Sequence, residues 1–224
     1  MRWFVATALI AALGAAAHAP AAFAGSIDPS YLGLRGSLVF GDTGSTRGSG
    51  DFDYDEDYAT GYAAVLFAGW VLDESFRFEA EGGYHSADLD SVTVIRDDSA
   101  TYTSGDIVGT GGGARLGTAM VNLYYDVHLF DGPILPWIGA GAGAAHVDYE
   151  IDDPLATFNG QDTAWVFAYQ FMAGVTFPVS EGLSMSVGYR FFQTDDFDYA
   201  NLLGDRQQTD VTQHSIDVAL QVHL

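Results

Sequence analysis

Apolar and small or polar residues alternate without interruption from Thr163 to Phe177. Successive side chains of a β-strand point to opposite faces, so one face here is oily throughout while the other is small and carries Gln170. Roughly 10 residues at about 3.3 Å each, tilted by about 40°, cover about 25 Å, the height of the apolar band of an outer-membrane barrel. The pattern predicts a lipid-facing strand with the following outward residues: Trp165, Phe167, Tyr169, Phe171, Ala173, Val175 and Phe177.

Further alternating segments bring the predicted number of strands to eight. The connections between them alternate between long and short, which is typical of bacterial barrels with short periplasmic turns and long outer loops. We predict four long loops, over 41–57, 87–113 and 195–210 and in the acidic segment before Thr163. Both faces of the second strand segment, 58–70, are apolar, so the sequence does not decide which of them points to lipid. The other strand segments are 31–40, 58–70, 76–86, 114–129, 137–147, 183–191 and 212–224.

Ionisable side chains fall on the face of these strands that points away from lipid. An eight-stranded barrel encloses an interior only just wide enough for side chains, so the pattern predicts a polar, salt-bridged plug. Arg190 and Asp217 are predicted to form an ion pair, while Glu79 and Asp126 are predicted at similar heights, which requires an intervening arginine or a protonated carboxyl group. The predicted lumen ion network is Arg35, Arg77, Glu79, Glu81, Asp126, Arg190 and Asp217.

Two chemical interpretations of these carboxylates compete with a structural network. One is a general acid/base pair, and the other is a metal site formed by Glu81 with His85. The balance of arginines and acids favours the network, with His85 at the rim, because two residues do not complete a metal shell. We therefore predict no catalytic residue, no metal and no cofactor. The acidic loop cluster is interpreted as solvated surface, with Ca²⁺ binding shared with lipopolysaccharide phosphates as the alternative; it comprises Asp53, Asp55, Glu56 and Asp57.

Composition predicts a targeting segment at the amino terminus and argues against one class of partner. Arg2, the apolar run from Trp3 to Ala17, and Ala22-Phe23-Ala24 before Gly25 predict a cleaved signal peptide over 1–24 and a barrel domain over 25–224. The net charge of −22 argues against nucleic acid as a partner. The chain has no cysteine, which excludes disulfides and a lipoprotein anchor.

Several segments resemble the small eight-stranded outer-membrane barrels, which include the OmpA transmembrane domain and the opacity-like surface antigens. The resemblance implies an all-β, antiparallel up-and-down transmembrane barrel in the bacterial outer membrane. Such chains commonly end in Phe, so Leu224 is expected to weaken recognition by the barrel-assembly machinery. The segments are YLGLRGSLVF from Tyr31, RFEAEGGYH from Arg77, NLYYD from Asn122, PWIGAGAG from Pro136, FAYQFMAGV from Phe167 and VGYRFF from Val187.

These observations predict a structural, surface-exposed barrel whose acidic outer loops meet host or environmental surfaces. Its expected partners are outer-membrane lipid, lipopolysaccharide and the barrel-assembly machinery. An alternative from another class is a lipid-A-modifying enzyme, a deacylase or an oxidase, with its active groups on the outer rim. A small low-conductance channel is the third interpretation, and the narrow lumen disfavours it.

Overall fold

A computed structural model describes residues 29–40, 43–48, 52–97, 103–109, 111–128, 132–152, 160–200 and 206–224. The predicted signal peptide lies outside these residues. No helix in the described part of the chain is long and apolar enough to cross a membrane. The strands are β1 Tyr31–Phe40, β2 Thr43–Gly48, β3 Phe52–Tyr58, β4 Gly61–Val71, β5 Phe76–Asp97, β6 Ile107–Gly109, β7 Gly111–Asp126, β8 Leu135–Asp152, β9 Gly160–Ser180, β10 Leu183–Thr194, β11 Phe197–Ala200, β12 Arg206–Thr209 and β13 Thr212–His223.

Eight of these strands close into a barrel. Each pairs antiparallel with its neighbours in the order β1, β4, β5, β7, β8, β9, β10, β13, and β13 returns to β1. The turn between β4 and β5 is closed by Asp73, whose Oδ1 accepts hydrogen bonds from the backbone amides of Ser75 and Phe76, both at 2.8 Å. The closed ring of pairings confirms the predicted eight-stranded up-and-down barrel and leaves the wall with no free edge.

The outward face of the barrel wall is apolar, as the alternation predicts. Trp165 and Phe171 on β9 are 68% and 56% exposed. The segment whose facing was open is also assigned: β4 turns Leu66 outward, while Val65 and Phe67 are buried inside. A wall that exposes large apolar side chains over its whole circumference is suited to lipid and not to water.

The prediction of a long loop over 87–113 is wrong, because β5 continues to Asp97 and β7 already begins at Gly111. The long loops at 41–57 and 195–210 contain paired strands as well, β2 and β3 in the first and β11 and β12 in the second. Together with the upper half of β5 they form a sheet in the order β11, β12, β2, β3, β5, β6. The physical reason is that these segments carry apolar side chains, such as Val92 and Phe197, which are buried inside the upper end of the barrel. The segments therefore fold as a continuation of the barrel wall.

The inside of the barrel has three layers of buried side chains. Near the short-turn end, Tyr124 packs with Trp137 and Met172, and Tyr31 packs with Phe67. The middle layer is polar and holds the charged residues. Above it, toward the long-loop side, lies a large apolar cluster, which we call the upper cluster: Leu89, Val92, Ala114, Leu116, Met120, Ala145, Val147, Tyr149, Val166, Ala168, Phe192, Phe197 and Val211.

Candidate functional site

The middle layer of the lumen is the candidate site, and β1 supplies its central cation. Arg35 lies inward on β1, opposite the lipid-facing Leu34, because the strand alternates. Its Nη1 lies 2.6 Å from Glu81 Oε2, and its Nη2 lies 3.2 Å from Glu79 Oε2. The guanidinium carbon also lies 4.7 Å from the centre of the Phe67 ring, within cation–π range. Arg35 thus joins two carboxylates that β5 presents on one face.

Arg190 makes the second set of contacts, from β10. Its Nε donates to Asp217 Oδ2 at 2.9 Å and its Nη1 donates to Glu81 Oε1 at 2.8 Å. Arg190 Nη1 also donates to Gln170 Oε1. The structure therefore brings the predicted partners Arg190 and Asp217 together, and it adds Glu81 as a carboxylate shared between Arg190 and Arg35.

Arg77 completes the network at the short-turn end of the barrel. Its Nε lies 2.7 Å from Asp126 Oδ2, and its Nη1 lies 3.4 Å from Glu79 Oε1. The predicted similar height of Glu79 and Asp126 is wrong: Glu79 is opposite Asn122, and the amide of Asp126 donates to the carbonyl of Ser75 at 2.7 Å. The stagger between barrel strands separates the two carboxylates, and the Arg77 guanidinium lies between them.

All seven predicted network residues thus lie in one connected set of ion pairs. Asp217 pairs with Arg190, and Arg190 shares Glu81 with Arg35. Arg35 also pairs with Glu79, which Arg77 links to Asp126. Every one of these side chains is buried. Each carboxylate has at least one arginine nitrogen within 3.0 Å or is shared between two arginines, so the arrangement holds the charges in place.

Neutral polar residues that the charge pattern did not reveal complete the network. The Tyr31 hydroxyl donates to Glu79 Oε1 and accepts from Arg77 Nη1, both at 2.8 Å. Gln170 Nε2 donates to Glu81 Oε1 at 2.8 Å and to Asn122 Oδ1 at 2.6 Å. A signal for them was available, since each is a polar residue on the inward register of a spanning strand.

Glycines on β8 make room for these side chains, as the alternation of Gly139, Gly141 and Gly143 predicts. A Cβ on Gly141 would meet the Asn122 carboxamide, and one on Gly139 would meet the Tyr124 ring. Asn122 and Tyr124 lie on β7, directly opposite these glycines. The space that the glycines of β8 leave in the lumen is therefore filled by long side chains from β7.

The predicted position of His85 at the rim is wrong. The side chain is buried, its Nδ1 lies 3.0 Å from Gln213 Oε1, and its ring centre lies 5.3 Å from that of Phe192. His85 therefore lies at the junction between the ion network and the upper cluster, because β5 continues past it instead of ending in a loop.

A metal site finds no support in the described part of the chain. No group of three or more histidine, aspartate or glutamate side chains is placed there to hold a metal ion. Glu81 is held by Arg35 and Arg190, so it does not combine with His85. In the acidic cluster, Asp53 and Asp55 lie on β3 opposite Arg47 and Ser45 of β2.

Comparisons with known proteins agree with this architecture. The family model described as outer membrane protein beta-barrel domain matches residues 6–223. An outer membrane protein of Gluconacetobacter diazotrophicus is 31% identical over 158 residues, which cover 65% of this chain and 38% of that protein. The chain spans about a third of the length of the curated relatives it matches.

Two solved structures share the fold at low sequence identity. The outer membrane protein OprG from Pseudomonas aeruginosa superposes with a TM-score of 0.54 and 11% identity over 88% of this chain and 97% of its own. Neisserial surface protein A superposes with a TM-score of 0.53 and 13% identity over 87% of this chain and 97% of its own. At these identities the likeness concerns the fold alone.

Proposed function

We propose that this chain, which belongs to the outer membrane protein beta-barrel domain family, is a non-conducting barrel that anchors a folded, acidic β-sheet on the surface of the bacterial outer membrane. The observation that carries the proposal is the filling of the lumen at successive levels. The paired arginines and carboxylates occupy the middle, and the upper cluster closes the outer half.

The ion network by itself opposes conduction. Arg35, Arg190 and Glu81 meet at 2.6 to 2.8 Å in the middle of the barrel, which leaves no width for a hydrated ion between them. Permeation would require breaking a buried ion pair, and leaving one buried partner uncompensated costs about 3 to 5 kcal/mol.

The upper cluster opposes conduction independently. Phe192, Leu116 and Val147 are almost fully buried and come from three different barrel strands. An apolar constriction of this kind excludes water and the ions that it carries. Loosening the ion network would therefore still leave the outer half of the lumen closed.

The sheet above the barrel supports a role at the surface. It is built from the long-loop side of the barrel, and its inner residues Val92 and Phe197 belong to the upper cluster. Its outer side and the neighbouring hairpins carry acids such as Asp88, Asp195 and Asp196, which are exposed. A sheet anchored in this way presents its polar side chains at fixed positions, as a binding surface requires.

Conductance of the full chain in planar lipid bilayers tests the proposal. We expect openings that are rare and small compared with those of a 16- to 18-stranded porin measured in the same bilayers. Steady, large conductance at low protein concentration would overturn it. The profile of lipid A from cells with and without the gene should be identical by mass spectrometry, and a shift by one acyl chain or one oxygen would favour the enzyme interpretation instead.

A further inference from the structure

A patch of aromatic and polar side chains lies on the outer wall of the barrel, outside the lumen and next to the surface sheet. It spans three neighbouring strands, since Gln193 of β10 pairs with Tyr169 of β9, and Phe191 of β10 pairs with His214 of β13. We call it the outer-rim patch and define it by six residues: Tyr169, Tyr189, Phe191, Gln193, Asp210 and His214.

The height of the patch is set by the apolar side chains beneath it. On β13 the outward residues from Ile216 down to Val222 are all apolar and about half exposed. Nine residues at about 3.3 Å, tilted by about 40°, place His214 roughly 23 Å above the periplasmic end of the strand, which is the upper edge of the apolar band. The patch therefore faces the boundary between the acyl chains and the head groups of the outer leaflet.

The polar groups of the patch are already ordered by hydrogen bonds. The Tyr169 hydroxyl donates to Gln193 Oε1, and Gln193 Nε2 donates to Asp210 Oδ2 at 3.4 Å. The Thr212 hydroxyl donates to the same Asp210 oxygen at 3.1 Å, and the Tyr189 hydroxyl bonds His214 Nδ1. Gln193 Nε2 has a second hydrogen and Asp210 a second carboxylate oxygen, so each can also bond a ligand.

The aromatic rings form the lower part of the patch. The His214 ring lies 5.4 Å from Phe191 and 6.0 Å from Tyr189, and Phe191 lies 6.3 Å from Tyr169. Phe171 continues this layer toward the middle of the membrane, with its ring 6.5 Å from Phe191. A ligand at this position meets rings below and hydrogen-bonding groups above.

We propose that the outer-rim patch binds the saccharide head group of a glycolipid in the outer leaflet. A sugar ring combines apolar C–H faces, which suit aromatic rings, with hydroxyl groups, which donate to Asp210 and bond Gln193 and His214. A phosphate is a poor fit, because the six residues include a carboxylate and no arginine, and the chain has no lysine. The ligand is lipid-borne because the aromatic layer continues into the acyl-chain region, where a free sugar would not lie.

The first test measures which lipids the folded barrel retains. The full chain is reconstituted in phosphatidylcholine nanodiscs containing rough lipopolysaccharide, extracted in mild detergent, and analysed by native mass spectrometry. Losing hydrogen bonds to the sugar should lower lipopolysaccharide retention about tenfold in Gln193→Leu and in Asp210→Ala. Tyr62→Leu and Asp88→Asn, on outward positions of other strands, should retain as much as the unmodified chain.

Two competition arms identify what is recognised. Phosphatidylglycerol has acyl chains without the saccharide, and the de-acylated core oligosaccharide has the saccharide without acyl chains. We expect neither to displace lipopolysaccharide at equal concentration. Displacement by phosphatidylglycerol would show that only acyl chains are bound, and displacement by the oligosaccharide would show a site for free glycans; either result overturns the proposal.

The second test needs no substitution within the patch, so it holds even if the variants fail to assemble. Histidine is labelled with ¹³C at the ring, and lipopolysaccharide is titrated into nanodiscs of the unmodified protein. The His214 resonance should shift, while His146 should not; the latter packs on Trp165 at 5.0 Å between ring centres and serves as an outward-facing internal control. Equal shifts of both resonances, or none, would overturn the proposal.

Discussion

Replacing Arg190 by methionine removes the charge of the network's most buried arginine while keeping a side chain of similar length. The substitution eliminates the contacts to Asp217 Oδ2 at 2.9 Å and Glu81 Oε1 at 2.8 Å. It does not affect the outer wall, because Arg190 points into the lumen. Any loss of stability therefore arises inside the lumen.

The remaining contacts decide the size of the effect. Glu81 keeps Arg35 at 2.6 Å, so it stays compensated. Asp217 keeps the Ser215 hydroxyl at 2.9 Å, but its nearest remaining cation is Arg35 Nε at 3.8 Å. One carboxylate is thus left nearly uncompensated, and we expect Arg190→Met to lower the free energy of unfolding by about 3 kcal/mol, the lower end of the range for breaking a buried pair.

A second substitution separates this cause from a packing defect. Asp217→Asn alone should destabilise the barrel, because Arg190 loses a carboxylate. In the Arg190→Met background the same change removes the uncompensated charge, so it should instead recover about half of the loss. A packing defect at Arg190 would not be relieved by changing Asp217.

The measurement is equilibrium unfolding in urea from lipid vesicles, followed by tryptophan fluorescence. Trp137 is only 8% exposed inside the barrel, so its emission reports on the loss of the folded lumen. Arg115→Met on β7 is the matched control, because Arg115 is exposed; we expect a change within about 0.5 kcal/mol. The reasoning is refuted if Arg190→Met costs no more than this control, or if Asp217→Asn makes the Arg190→Met protein still less stable.

Three further predictions concern the wall and its orientation. Phe171→Arg should prevent stable assembly in vesicles, judged by heat-modifiable gel mobility, because a cation near the bilayer midplane costs about 2 to 4 kcal/mol, whereas Phe171→Leu should assemble. Gly141→Val should lower the unfolding free energy by about 1 to 3 kcal/mol through the clash with the opposing asparagine, while Ala140→Val, which points to lipid, should not. Since the chain has no cysteine, a single cysteine at Ile107 should react with impermeant maleimide on intact cells, and one at Ile134 only after permeabilisation; the reverse pattern would show inverted topology.

The barrel itself could be predicted from sequence because its wall obeys a period of two. Trp165, Phe167 and Phe171 are exposed and Val166 and Gln170 are buried, as the alternation requires. The inward position of the charged residues follows from the same parity. The height of a residue along the barrel axis cannot be predicted in this way, because it depends on the stagger between strands, and the sequence of a single strand does not encode that stagger. This is why the predicted similar height of Glu79 and Asp126 is wrong.

The upper half of β5 could not be predicted because its parity changes. Leu89 and Val92 are both buried although they differ in parity, and the pairing with β3 shifts between Leu89 and Ser91. Asp90 is the additional residue on β5, and it is exposed. A β-bulge of this kind breaks the alternation, so a strand reads as an acidic loop and its buried residues are missed.

The two faces of the wall exchange character at one height, which explains why the lumen has a charged middle and an apolar outer half. On β5 the outward side changes from Tyr84 to Asp88 while the inward side changes from His85 to Leu89. Below this level the outer solvent is lipid, so apolar groups face out and charges pair inside. Above it the outer solvent is water, so acids face out and apolar side chains are buried by the hydrophobic effect. The surface sheet therefore has the core of a water-soluble protein, and that core is also what closes the outer end of the barrel.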